Sequence, residues 1–257
     1  MYKRQHVPWY APQKYFDLFP LDEIQLPSHL KGDLDDVPAS GQKMAKRHWH
    51  KWIIDNDQWK KAVQAYLASL SFADDMVGEL LDALDNSPIA KDTLVVFWGD
   101  HGYHLGEKEN WEKFALWEDT THVPLIIVDP RRTQPGTRCE SPVSLLDLYP
   151  TLVELCGLEP PPQTLEGQSL AKRLAKPRAK TRRVAVTTQG KANHAVRSGR
   201  YRYIRYADGS EELYDHKTDP PEWRNLASDS SLARVKSRLA KRLPAVNVDP
   251  IQIKPRP

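Results

Sequence analysis

This chain is poor in cysteine, has no long apolar run and carries no strong excess of either charge, and each shortage removes a class of protein. Its two cysteines, Cys139 and Cys156, stand apart with no paired spacing, which argues against a disulfide framework and against a cysteine zinc site. No apolar stretch approaches the length needed to cross a bilayer, so no transmembrane segment is expected. The opening run Met1-Tyr2-Lys3-Arg4-Gln5-His6 lacks an apolar h-region and does not read as a secretory signal. An export signal of the natural protein would lie upstream, and would place it in the periplasm or outside the cell. The formal net charge is only +3, and no nucleic-acid module signature accompanies it, so no nucleic-acid partner is expected. Basic residues gather after Lys172, a bias that suits anionic ligands. No internal repeat is evident.

What is present suits a globular protein. With 257 residues, 40% hydrophobic and 28% charged, the chain can bury a sizeable core. Residues 1–30 are rich in proline and aromatics without a sustained period, and read as an irregular segment over a preformed surface. A short helix is expected around residues 44–52. Between residues 59 and 84 the positions Val63, Tyr66, Leu67, Leu70, Met76, Val77, Leu80, Leu81 and Leu84 follow helical spacing. Asp74 and Asp75 fall on its solvated side and are given a structural role. A further helix is expected over 143–155, with Pro150 tolerable in a first turn and Gly157 as its stop. Beyond residue 182, short strand-like runs at 184–188, 195–197, 201–206 and 211–214 predict a small antiparallel sheet. Ala207-Asp208-Gly209 is the signal for its last hairpin. A basic amphipathic helix near 230–243 would dock on that sheet.

The chemistry concentrates in one stretch. Residues 93–98 are β-prone and bounded by Gly99, which predicts a buried strand whose end delivers Asp100 and His101 together. A second buried strand is expected at 123–128. A strand, a long polar loop and another strand is the layout of a doubly wound sheet, where sites form beyond the strands' carboxyl ends. An adjacent carboxylate and imidazole reach one metal only where the backbone turns, and Gly102 is expected to supply that turn. Lys113 adds a fixed positive charge suited to an anionic group. On residue types alone, a satisfied strand-end Asp beside a surface His remains an equally open reading.

The run Gly99-Asp100-His101-Gly102-Tyr103-His104-Leu105-Gly106-Glu107, then Trp111-Glu112-Lys113 and Thr121-His122-Val123-Pro124, resembles the sulfatase family of the alkaline-phosphatase superfamily, in its iduronate-2-sulfatase-like branch. His6-Val7-Pro8, Ser144-Leu145-Leu146-Asp147-Leu148-Tyr149-Pro150, and Glu212-Leu213-Tyr214-Asp215 with Thr218-Asp219-Pro220 are similar to further family segments. The resemblance implies an α/β fold: an alkaline-phosphatase-like sheet sandwiched by helices, present in part, with a small C-terminal antiparallel sheet plus helix. Residues 1–180 would be the C-terminal portion of the catalytic domain, and 181–257 a small C-terminal α+β subdomain. It also implies that Asp100 and His101 ligate a divalent metal, calcium in most relatives, and that Lys113 contacts the sulfate. His6 would sit near a sulfate or leaving-group oxygen as an acid or donor, and His122 either lines the substrate or is structural. Calcium prefers oxygen, and many sulfatases place Asn where this chain has His101, a departure that points to the iduronate-type branch. His104 and Glu107 are expected to support the loop, with substrate contact as the lesser alternative, Trp111 to wall the pocket or fill the core, and His194 and Arg197 to lie at the surface rather than reach the cleft from the small subdomain.

The family's Cys-x-Pro/Ala-x-Arg motif, whose cysteine becomes the formylglycine nucleophile, has no counterpart here. Cys139 is followed by Glu-Ser-Pro-Val and Cys156 by Gly-Leu-Glu-Pro. Nor do Asp35-Asp36 or Asp74-Asp75 stand in the strand-end context of the family's paired aspartates. The chain therefore reads as the C-terminal portion of a sulfatase, whose partners would be a sulfated carbohydrate or other sulfate ester and the enzyme's own missing N-terminal half. Alone, it is expected to be inactive. The alternatives are a phosphodiesterase or phosphonate hydrolase of the same superfamily, and a truncated subunit that binds without catalysis.

Overall fold

The structure, a computed structural model, describes residues 8–249. The irregular N-terminal segment contains one short helix, α1 (Gln13–Phe16), laid against the long helix α4 (Trp59–Asp85). Between them the polar segment forms α2 (Ala39–Met44) and α3 (Arg47–Asp55), two helices where one was expected. Trp59 and Val63 of α4, Ile53 of α3, Ile24 and Trp111 share one core, with Trp9, Phe19 and Leu26 of the N-terminal segment packed on it. From Leu70 onward α4 departs from the expected buried stripe, for Leu70, Met76, Leu80 and Leu81 are exposed. Asp75 accepts a hydrogen bond from the Tyr15 hydroxyl at 2.7 Å and so ties α1 to α4.

Strand β1 (Val95–Trp98) pairs antiparallel with β4 (Leu125–Val128), Val95 opposite Val128 and Trp98 opposite Leu125. The chain returns through an extended loop rather than a crossover helix, which is why this neighbouring pair runs antiparallel. Both strands are shorter than expected and neither is buried: Trp98 and Ile126 keep 45% and 55% of their surfaces. The loop between them carries the two-residue ribbon β2 (His104–Leu105) and β3 (Trp111–Glu112), then α5 (Glu118–Thr121). Helix α6 (Leu148–Cys156) follows a 3-10 turn capped by Ser144, places Pro150 in its first turn and ends at Gly157. The short α7 (Ala171–Ala175) leads to the small sheet.

That sheet has the simplest topology available, β5-β6-β7-β8, every neighbour antiparallel: β5 (Ala185–Thr188), β6 (His194–Arg197), β7 (Tyr201–Arg205) and β8 (Glu211–Asp215). Gly209 turns the last hairpin with a φ of 85°, open to glycine at no steric cost. One face packs Val196, Tyr203 and Leu213 against Leu239 of α8 (Ala233–Ala240). The other packs Ala195, Ile204 and Tyr214 against Leu34, Val37, Leu116 and Trp117. The small sheet thus shares a core with the site loop. No helix is long and apolar enough to cross a membrane among the described residues.

Candidate active site

The last rung of the β1–β4 pair is a hydrogen bond from the Gly99 amide to the Pro124 carbonyl at 3.1 Å, and the chain steps off the sheet there. Asp100 and His101 follow at once. The Gly102 and Tyr103 amides donate to the Thr120 and Asp119 carbonyls at 3.0 and 2.9 Å, pressing the chain onto α5. A Cβ on Gly102 would lie 1.8 Å from the Asp119 carbonyl oxygen. Gly102 therefore serves close backbone approach, and not the left-handed turn expected of it.

His101 is oriented from both ends. Its Nδ1–H donates to the Gly102 carbonyl at 2.7 Å, which leaves Nε2 as the acceptor, and Lys113 Nζ donates to Nε2 at 2.8 Å. Asp100 Oδ1 lies 3.9 Å from the same Nε2, an electrostatic contact rather than a hydrogen bond. A carboxylate, an imidazole lone pair and an ammonium thus meet on the wall of a cleft of about 1910 Å³, also lined by Glu118, His122 and Arg197. The donor set fits two positions of a divalent-cation shell, one hard oxygen and one nitrogen. Among the described residues no third His, Cys, Asp or Glu joins Asp100 and His101 in a ligand group.

Lys113 is held in a backbone of unusual conformation. Lys108, Glu109, Glu112 and Phe114 all have positive φ, between 45° and 73°, although none is glycine. Such residues cost on the order of 1–3 kcal/mol each and persist only where contacts over-determine them. Here the contacts are specific. Lys108 is buried and bonds the Asp33 carboxylate at 2.8 Å and the Glu222 carbonyl. Arg47 and Lys46 pair with Glu109 and Glu112 at 2.9 and 3.0 Å, and Asn110 accepts from the Lys46 amide.

From the other side the small sheet grips the same loop. Arg202 of β7, 1% exposed, donates to the Leu116 carbonyl and the Thr121 hydroxyl, both at 2.9 Å, to Glu222 at 2.7 Å and to Glu118. Arg197 adds a bond to Glu118 at 2.9 Å, and Glu222 accepts from the Glu118 amide at 2.9 Å. Burial pushes the Glu118 carboxyl upward, but Arg202 and Arg197 outweigh it and hold the group down at about 2. Glu222, wholly buried, is likewise lowered because Arg202 and His216 overcome its burial.

Of the residues singled out in the sequence, Asp100, His101 and Lys113 converge. His122 lies on the same cleft but is 77% exposed at its side chain, 3.6 Å from Glu118. His6 lies outside the described residues. Trp111 fills the core and donates to His50. Arg197 lines the cleft, the alternative to a surface position, whereas His194 is neither at the surface nor on the cleft: it is buried in the sheet between Thr188 and Asn247. Arg202, Glu222 and Lys108 were not legible, because each reads locally as an ordinary polar position on a strand or loop.

The sulfatase family model matches residues 1–158, and the model of the N-sulphoglucosamine sulphohydrolase C-terminal region matches 106–249. This chain belongs to the sulfatase family. It is 45% identical to a sulfatase of Formosa agariphila over 249 residues, 96% of this chain and 49% of the relative. Human iduronate 2-sulfatase is 31% identical, across 63% of this chain and 36% of its own length. The solved phosphonate monoester hydrolase of Silicibacter pomeroyi superposes with a TM-score of 0.80 at 24% identity, covering 94% of this chain and 53% of that one. This likeness shows the fold, the α/β sulfatase and alkaline-phosphatase-like architecture with a small four-stranded antiparallel sheet. The chain spans about half the length, or less, of the curated relatives it matches.

Proposed function

We propose that this chain is the sulfate- and cation-holding part of a sulfuric ester hydrolase that acts on sulfated glycans, in the manner of an iduronate 2-sulfatase. The observation that carries this reading is the Lys113 ammonium, 2.8 Å from His101 Nε2 and next to Asp100, on the cleft wall. In this role Asp100 contributes a carboxylate oxygen and His101 its Nε2 to a divalent cation, calcium in most relatives. Such a cation, when bound, withdraws charge from the sulfate oxygens. Lys113 transfers its donor from His101 to a sulfate oxygen as the substrate arrives, and offsets the charge that grows there in the transition state. His6 supplies a proton or hydrogen bond on the leaving-group side, and His122 borders the sugar. The Arg202 network keeps the Lys113 loop from drifting.

The nucleophile, a formylglycine in the family, and the remaining cation ligands come from a preceding half of the same enzyme. That half would cover the open faces of β1 and β4, completing a catalytic domain to which residues 1–180 contribute and which residues 181–257 close. A complete protein of this kind, working on extracellular glycans, would be exported.

The 257-residue chain alone is expected to leave an aryl sulfate untouched, and turnover by it would overturn the placement of the nucleophile. In the enzyme joined to its nucleophile-bearing half, Lys113→Ala is expected to lower kcat/KM by about 10²–10³ with little change in melting temperature. Parallel losses of activity and stability would remove Lys113 from the sulfate. Preference for an aryl phosphonate over a sulfated glycan would favour a phosphonate hydrolase instead. Tight glycan binding without hydrolysis would favour a binding subunit.

A further inference from the structure

Behind the Asp100–His101 step lies a second group of ligating side chains that the proposed reaction does not use. His104, the first residue of β2, is 0% exposed, and neither of its ring nitrogens has a hydrogen-bond partner. Its ring stands edge-on to Trp117, with centroids 6.0 Å apart. Its Nδ1 points between two carboxylates, 3.9 Å from Asp119 Oδ2 and 4.0 Å from Glu107 Oε2. The three atoms all lie within 4.8 Å of one another. These separations are too long for hydrogen bonds, yet they are those of groups arranged around a common centre.

A buried imidazole without partners is rare, because its polar atoms have given up water for nothing in return. Burial holds the His104 ring down at about 3, so it is neutral and offers a lone pair. The Asp119 carboxyl, still half open to solvent, is pushed upward by its partial burial and by the negative charges of Glu107, Glu222 and Glu118. Two acids converging on a neutral imidazole repel each other, and a cation between them removes that repulsion. The walls are firm. Glu107 Oε2 accepts the Leu105 amide at 2.6 Å, and the Tyr103 amide bonds the Asp119 carbonyl at 2.9 Å. Asp119 keeps 49% of its side-chain surface, which gives a route for an ion and room for water ligands.

We propose that His104, Glu107 and Asp119 bind a divalent transition cation of the zinc or manganese class. One imidazole and two carboxylates make a borderline donor set, better matched to such ions than to calcium, which takes six to eight oxygens. At zinc–ligand distances of about 2.0–2.2 Å, tetrahedral donors sit roughly 3.4 Å apart, so each imidazole–carboxylate distance closes by about half an ångström, and the half-exposed Asp119 is the side chain that moves. A bound ion would cross-link β2, the turn after it and α5, and thereby stiffen the loop that carries Asp100 and Lys113.

The test is Zn²⁺ titration of the metal-stripped chain by calorimetry, with metal content read after dialysis. It uses a Cys139→Ser, Cys156→Ser background, because both thiols are exposed. One ion is expected to bind at this triad and to raise the melting temperature. Loss of an outer-sphere partner alone costs 10–100-fold in metal affinity, so Asp119→Asn should weaken binding by about a hundredfold or more. His104→Gln should do the same, and Asp100→Asn should leave this equivalent in place. Co²⁺ bound at the triad should lose its imidazole-dependent absorption in His104→Gln. Should His104→Gln fail to fold, Asp119→Asn decides, since its side chain is half solvated. Wild-type affinity in Asp119→Asn, or loss of all binding in Asp100→Asn, overturns the assignment. So does absence of a stoichiometric ion in the unmutated triad, which would mean that the polar pocket holds only water.

Discussion

Two β-structures flank the cleft, built from similar residues and left in opposite states. In the four-stranded sheet β5–β8, Val196, Tyr203, Ile204 and Leu213 are wholly buried, because α8 covers one face and the Leu34–Trp117 core the other. In the β1–β4 pair, Phe97, Trp98, Ile126 and Val128 are equally apolar but remain exposed among the described residues. The pair leads into the Asp100–His101 step and the sheet supplies the anchorage. Strand-forming sequence selects the backbone conformation; what packs on the faces decides how much the strand contributes to stability. The contrast also explains why the Lys113 loop is gripped by Arg202 and Lys108 rather than by the strands from which it springs.

The contrast can be tested, beginning with the grip itself. Arg202→Met leaves the buried Glu222 and the partly buried Glu118 carboxylates without their main partner, and is expected to cost about 3–5 kcal/mol of unfolding free energy in denaturant titration. An unchanged midpoint would mean that the network is not what holds the sheet to the loop. Next, Leu213→Ala should cost about 2–5 kcal/mol, whereas Ile126→Ala should stay within about 0.5 kcal/mol in the chain alone. Similar losses at the two sites would erase the distinction drawn here.

A third prediction concerns pH. Glu118 has its carboxyl lowered from 4.5 to about 2, so its charge contributes stability that is fully present above about pH 4.5 and lost as pH falls through 2. Glu118→Gln should therefore be less stable at neutral pH, with a flatter stability curve across that acid window. A wild-type acid limb in the variant would show that another group controls it. A modest effect is expected at the hairpin: Gly209→Ala forces a Cβ into a φ of 85° and should cost about 1 kcal/mol without altering Zn²⁺ binding. A neutral or stabilising result would mean that the turn relaxes to another type.

Much of the fold was legible because its signals are local. The spacing from Val63 to Leu84 marks α4, the Asp208-Gly209 turn marks the last hairpin, and Pro150 with Gly157 brackets α6. The Asp100–His101–Lys113 cluster was legible for a different reason: the three lie within one loop, so a short motif suffices to bring them together. What escaped was everything that depends on distant segments meeting. Arg202 reads as an outward-facing residue in Tyr-Arg-Tyr-Ile-Arg-Tyr, and only packing against Glu118 and Glu222 reveals it as buried. Gly102 looked like a turn residue until α5 was found against its α-carbon. His104 looked like a support for the loop, and its orphaned ring becomes visible only when Asp119 is folded back beside it.

The sequence by itself determined the longer elements, the family and the motif that sets an acid, an imidazole and an ammonium within one loop. Each of these rests on interactions between residues close in the chain: backbone preference, apolar periodicity and turn geometry. Tertiary structure alone decided which strands are buried, which charges are paired and which histidine is left without a partner. Burial and pairing are properties of surfaces brought together across the chain, and a residue's cost or benefit there depends on neighbours that its own sequence context does not name.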